Sequence, residues 1–501
     1  MVAGADVSER TAAAIEVVPD LLDSPDAGVA AIRGGALRTG GYVVGVAVSV
    51  VASALLLRHL GVVATGDYVT VLALVSLICG AIETGFAAIG VRELSTLGAG
   101  HAQSFFRSLA GLRLAAVSAG VLIAAAVARV SGYSHTLVLG TLVAGGGFVL
   151  LTVQTSYSLP LLARLQLPAV TALEVLRQVG TAAAIVVLVL IGAPLLSFWA
   201  ATIPAGIAAS VLGALLIRRR MPLLPAFDRA IWSALLRRVL PYSMAAAVGV
   251  VYFRLAILIM SQVASGLQTG YYAASFRIIE VLFVVPQLIV GSTLPIFSRA
   301  ARDDRVRLDY ALGRTFDACL LLGVAVGLSL ITGASFIISV VAGPKFAPSA
   351  AILRIQGFAL IATFMGAVLG YALLSLGRYR EVLVINLCVL LLSALLTGVL
   401  ASSYGAVGAA GATTAVEVLY TVALAVGVVR AGLRPQVSIA AVPRVLLAAL
   451  LGALALLPPN LPAIVRPVLA LGVYCVALVL LRAVPRELLD QIPRLPQRPS
   501  W

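Results

Sequence analysis

The sequence predicts an all-α polytopic membrane protein of about 14 transmembrane helices, built as two six-helix lobes with a central cavity plus an extra C-terminal helix pair. Three observations carry that prediction. Hydrophobic residues make up 61% of the 501 residues and charged residues only 11%, against about 25% charged in soluble proteins. Apolar runs long enough to cross a hydrocarbon core of roughly 30 Å as helices recur along the chain. The cations fall in short loops between those runs, so the net charge of +15 reads as membrane topology and not as a nucleic-acid surface.

Taken in order, residues 1–36 are polar and acid-rich (Asp6, Glu9, Glu16, Asp20, Asp23, Asp26). They are the opposite of a signal-peptide n-region and are expected to form a disordered cytoplasmic tail. The N-lobe, 37–217, holds spans at approximately 39–57, 68–91, 108–128, 136–158, 169–192 and 195–217. A basic cytoplasmic linker, 218–238, carries six arginines that serve first as a topology anchor, with a lipid-headgroup or partner site as the alternative. The C-lobe, 239–430, holds spans at approximately 239–263, 271–297, 315–342, 349–376, 382–401 and 405–429. The extra pair, at approximately 443–458 and 464–482, fills 431–485, and 486–501 is a second cytoplasmic tail.

Alternate loops fix orientation. One set carries nearly all the arginines, with Arg92, Arg107 and Arg113 counted among them; the other carries only Arg58, Arg129, Lys345 and Arg466. The positive-inside rule makes the rich set cytoplasmic, together with both termini. Six spans per half implies a parallel repeat related by an axis along the membrane normal. Gly66-Asp67-Tyr68 and Gly270-Tyr271 open equivalent spans, and that register sets Glu83 opposite Gln287.

Short motifs point to a family. Arg58-His59-Leu60-Gly61, Gly66-Asp67-Tyr68, Glu83-Thr84-Gly85 and Val91-Arg92-Glu93 occur in order, followed in the second half by Pro241-Tyr242, Phe253-Arg254-Leu255 and Gly270-Tyr271-Tyr272. Pro295-Ile296-Phe297-Ser298-Arg299, Gly343-Pro344-Lys345-Phe346-Ala347-Pro348 and Leu376-Gly377-Arg378 complete the series. Over roughly 37–430 the chain resembles the polysaccharide-biosynthesis flippases, the Wzx-type branch of the multidrug/oligosaccharidyl-lipid/polysaccharide exporter superfamily. Two positions depart from the family pattern: Glu83 stands for its usual Asp, and Ala256 replaces an acid of the seventh span.

Charges inside the apolar runs are the candidate site residues, because an ionised group in a membrane helix is costly and faces a bundle interior or a watery cavity. Arg254 lies about 15 residues into its span, some 22 Å by helical rise. It reads either as a guanidinium gripping phosphate oxygens or as one side of an interhelical salt bridge. Arg277 and Glu280 share a helix face at i, i+3, ahead of a helix-kinking Pro286. With Gln287 they complete the substrate-binding set. Glu83 and Glu417 are the coupling or gating candidates, and must be neutral, paired across helices or hydrated. Glu174 and Arg177 read as interface anchors, Asp317 and Arg354 as boundary residues, and the four cysteines as packing residues.

No Ser-His-Asp set, metal spacing or P-loop is present, so neither an enzyme, a metal nor a cofactor is expected. The resemblance implies a flippase in the bacterial plasma membrane. Its cargo would be polyprenyl-diphosphate-linked oligosaccharide, a cell-surface polysaccharide precursor, moved by alternating access. The partners it implies are that lipid-linked substrate, membrane lipids, and a polysaccharide polymerase and glycosyltransferases, with no nucleic acid. The alternatives are a multidrug/cation antiporter of the related extrusion family and a non-transporting scaffold for polysaccharide assembly.

Overall fold

A computed structural model describes residues 27–433, 441–454 and 462–483. The acidic stretch 1–26, the C-terminal 484–501, the segment 434–440 before the extra pair and the segment 455–461 within it lie outside the described residues. The described residues form fourteen α-helices and no strand. They are α1 (Ala27–Leu94), α2 (Ala99–Val130), α3 (His135–Ala163), α4 (Leu167–Leu190), α5 (Leu195–Trp199), α6 (Thr202–Ile217) and α7 (Arg229–Val263). They continue as α8 (Gly266–Leu282), α9 (Val284–Asp303), α10 (Arg305–Val341), α11 (Ser349–Ser375), α12 (Tyr379–Arg430), α13 (Ala441–Ala453) and α14 (Val465–Leu480).

Nine helical segments of the described residues are long and apolar enough to cross a membrane. Two of these are 52 residues long, about 78 Å if straight, and each is broken by one glycine. Gly61 (φ 74°) interrupts α1 and Gly405 (φ 58°) interrupts α12; positive φ is open to glycine and costly for residues with a Cβ. Beyond the second break the backbone N–H of Ala406 donates to Gln268 Oε1 at 3.0 Å, which caps the new helix start. Counting each broken helix as two crossings, and adding the three shorter apolar helices, reproduces the sequence-level spacing of about fourteen. The two α1 crossings meet at one glycine, where the sequence predicts a longer turn from 58 to 67.

Other ends follow from local chemistry. Asp304 caps α10 by accepting from Arg307 N at 3.0 Å, and Ser265 caps α8 by accepting from Gln268 N. At the far end of α10, Arg58 donates to the carbonyls of Ser339 (3.3 Å) and Val340, so a cation meets the negative helix terminus. Pro286, in the first turn of α9, follows the break between α8 and α9 at Phe283. This is where the missing proline N–H leaves the ladder open.

The chain divides into two compact units. The first comprises the described residues of Met1–Ala52, with Ile78–Leu190 and Leu196–Met244; the second comprises Ser53–Leu77, Ile191–Leu195 and the described residues of Ala245–Trp501. The first unit packs around Phe106, Leu109, Leu159, Leu173 and Ile217. Its linker is strapped along the start of α2. Ala226 N donates to Arg107 O (2.9 Å), Arg107 Nε to Leu224 O (3.2 Å) and Trp232 Nε1 to Ser108 O (3.1 Å). The second unit packs around Cys319, Leu353, Leu360, Phe364, Leu373 and Leu424. In it α14 lies on α10, where Tyr474 Oη donates to Leu321 O at 3.0 Å. Gly66 and Gly270, which the repeat register equates, meet backbone to backbone: a Cβ on Gly66 would sit 3.0 Å from Gly270 N.

Candidate functional site

Among the described residues three polar clusters carry the sequence-predicted site residues, two in the second unit and one in the first. In the second unit Glu280 of α8 is held by two guanidiniums. Arg254 of α7 donates from Nη2 to Glu280 Oε1 at 2.7 Å, and Arg277 donates from Nη1 to Glu280 Oε2 at 2.6 Å. Arg277 also reaches Ser53 Oγ from Nε (3.3 Å) and Nη2 (3.4 Å). Two cations on one carboxylate leave the cluster with one net positive charge. Side-chain exposures of 21% for Arg254, 40% for Arg277 and 19% for Glu280 place it at an accessible surface of the unit. Among the described residues Arg254 Nε and Nη1 have no hydrogen-bond partner. The interhelical salt bridge foreseen as one reading of Arg254 is therefore present, and its acid is Glu280. Gln287 is exposed on α9, beyond the break, and joins none of these three among the described residues.

The second cluster surrounds Glu417, which is buried in the second crossing of α12. Tyr252 Oη donates to its Oε1 at 2.6 Å, and Thr363 Oγ1 donates to its Oε2 at 3.0 Å. Both donors are neutral, and no cationic side chain pairs with Glu417 among the described residues. Beside it lies a cavity of about 30 Å³, lined by Tyr252, Tyr272, Gln356, Ser393, Thr413 and Glu417, room for about one water or small ion. Gln356 Oε1 is buried with no hydrogen-bond partner. Tyr252 stands two residues before Arg254 on α7, so one helix contributes to both clusters.

In the first unit Glu83 is answered by Arg113 of α2, which ion-pairs with its Oε1. Thr155 Oγ1 donates to Glu83 Oε1 at 2.7 Å, Thr152 Oγ1 lies 3.4 Å from Oε2, and Arg113 Nη2 also reaches Thr155 Oγ1 at 2.9 Å. Arg113 is 0% exposed and Glu83 16%. Arg113 is thus no loop cation. It lies fourteen residues beyond the first residue of α2; by hydropathy an arginine near a span end is indistinguishable from a topology anchor, so the sequence groups it with the loops. Its position five residues inside the predicted 108–128 span was the available signal. Asp317, read from the sequence as a boundary residue, is buried within 3.5 Å of Arg314. Cys388 and Cys475 lie exposed, while Cys79 and Cys319 pack inside. Among the described residues no cluster of His, Cys, Asp and Glu suited to a metal occurs.

No protein-family profile matches the chain, and no curated protein matches it by sequence. Solved structures do. The lipid II flippase MurJ, in an inward closed conformation, superposes with a TM-score of 0.73 at 14% identity, over 90% of this chain and 99% of MurJ. The chain has the MurJ fold. An inward-facing multidrug resistance MATE family transporter of the MOP superfamily gives 0.63 at 13% identity, over 77% of this chain and 93% of that one. A MOP superfamily transporter from Pyrococcus furiosus gives 0.51 at 15%, over 80% and 93%. The architecture is therefore the all-α polytopic membrane fold shared by these transporters.

Proposed function

We propose that the chain is a membrane transporter that flips a polyprenyl-diphosphate-linked oligosaccharide across the bacterial plasma membrane by alternating access. The observation that carries this reading is the Arg254–Glu280–Arg277 cluster. A lone buried carboxylate would repel an anionic headgroup; a carboxylate outnumbered by two guanidiniums orients them and leaves donors over. Arg254 Nε and Nη1 are those donors, and a forked guanidinium suits diphosphate oxygens. Glu280 and Ser53 act as positioning groups, and Gln287, exposed beyond the break, remains a candidate substrate contact outside this cluster. The fold shared with a lipid II flippase supports a lipid-linked cargo.

Glu417 is the coupling residue in this reading. Held by hydroxyls beside a cavity for one small guest, it can exchange a proton or Na⁺; the groups facing it are Tyr252, Thr363, Tyr272 and Tyr420, with no cation opposed among the described residues. Glu83, matched by the buried guanidinium of Arg113 and by the Thr155 hydroxyl, holds α1, α2 and α3 together. Membrane voltage supplies a second drive, roughly 2.3 kcal/mol per charge per 100 mV for an anion leaving a negative-inside cell.

The test is mass spectrometry of lipid-linked sugars in a deletion strain, with leaflet sidedness read by an impermeant probe. Accumulation of a diphosphate-linked oligosaccharide in the inner leaflet, rescued by the wild-type chain but not by Arg254→Ala, supports the flippase. Unchanged lipid intermediates with new drug sensitivity would replace it with the multidrug/cation antiporter, the reading that the MATE likeness favours.

A further inference from the structure

We propose that the second unit carries a binding site for an anionic phospholipid, separate from the transport path and independent of the transport reading. The site is a crevice of about 540 Å³ between the two crossings of α12, lined by Arg380, Glu381, Val384, Ile385, Ala423, Val426, Gly427 and Arg430. That volume falls within the range of about 300–1,000 Å³ typical of ligand sites.

Its chemistry is divided by position. Arg380 and Arg430 each stand twenty-five residues from the Gly405 break, so the two crossings return them to one level at the same membrane interface. Both are exposed, and neither has an acidic partner among the described residues. Glu381 is neutralised by its ion pair with Arg378. The mouth is therefore cationic by two charges. Above it the walls are wholly apolar, and the flanking Val384, Leu387, Val426 and Val429 are exposed large hydrophobics. Tyr379, exposed beside the mouth, is an amphipathic residue of the kind enriched at headgroup depth.

Arginines at span ends are by themselves topology anchors. What distinguishes this pair is the apolar crevice that begins where they end. A phosphate accepting from both guanidiniums directs an acyl chain between the crossings, and basic pockets between helices on the cytoplasmic side select anionic headgroups. The occupant is accordingly an anionic phospholipid of the leaflet that the charge pattern assigns to the cytoplasm, with phosphatidylglycerol as the probe.

The experiment places the full chain in phosphatidylcholine nanodiscs and titrates phosphatidylglycerol, reading retained lipid by native mass spectrometry. The wild type is expected to retain phosphatidylglycerol over phosphatidylcholine. The double variant Arg380→Gln/Arg430→Gln is expected to weaken retention about thirtyfold. Val426→Trp, which fills the apolar part without touching a charge, is expected to reduce it as well. The double variant Arg302→Gln/Arg307→Gln, equal in charge change and likewise at exposed arginines, is expected to bind like the wild type. Unchanged affinity in the first two variants, or equal loss in this charge-matched control, would overturn the site. Displacement of phosphatidylglycerol by farnesyl diphosphate, with the same variant sensitivity, would also overturn the assignment by giving the crevice to a prenyl diphosphate.

Discussion

Replacing Glu83 by Gln while leaving Arg113 in place is the sharpest test of the first unit. Arg113 is fully buried, and its Nε and Nη1 have no partner among the described residues. The charge on its Nη2 is met by Glu83 and supported by Thr155. Removing the acid strands a buried guanidinium, and breaking one side of a buried pair costs about 3–5 kcal/mol. The reverse change, Arg113→Met, leaves a carboxylate that still accepts from Thr155 and reaches the unit surface at 16% exposure. That loss is expected near the low end of the range. The double variant Glu83→Gln/Arg113→Met removes both charges, so its loss should fall well below the sum of the singles, with a coupling of about 1–3 kcal/mol. Denaturant or thermal unfolding in detergent micelles, followed by tryptophan fluorescence, reads all three. Equal costs for the singles and strict additivity in the double would refute the pairing argument.

Other outcomes follow from the second unit. Glu417→Gln should leave the fold intact but make flipping insensitive to pH and Na⁺ gradients in proteoliposomes; an unchanged gradient dependence would remove Glu417 from coupling. Gln268→Ala deletes the cap on Ala406 N and should cost about 1 kcal/mol of stability, measured by unfolding midpoint. Gly405→Ala forces a Cβ into positive φ and should cost about 1–2 kcal/mol. Gly270→Val drives a side chain into the backbone carbonyl of Val62 and should destabilise by about 1–3 kcal/mol or more.

Much of the architecture was legible because crossing a bilayer is a constraint that composition records directly. Helix count, the alternation of arginines and the i, i+3 pairing of Arg277 with Glu280 all follow from one-dimensional spacing. The turns were less legible. Gly61 and Gly405 each reverse a helix at one residue, and hydropathy does not register a change of φ. Ion pairs across helices were the least legible, since Arg113 with Glu83 and Arg254 with Glu280 depend on which helix lies beside which. The same holds for the hydroxyls of Ser53, Tyr252 and Thr363, residues that look unremarkable in an apolar run until the packing turns them towards a charge.

The central claim is that the two arginines on Glu280 bind the headgroup of a lipid-linked cargo. The direct measurement is flipping of a fluorescent polyprenyl-diphosphate sugar in proteoliposomes, read with an impermeant quencher. Arg254→Ala and Arg277→Ala should each abolish the quencher-accessible fraction, with Arg254→Lys restoring part of it because charge remains but the fork is lost. Full flipping by Arg254→Ala in a correctly folded chain would contradict the account.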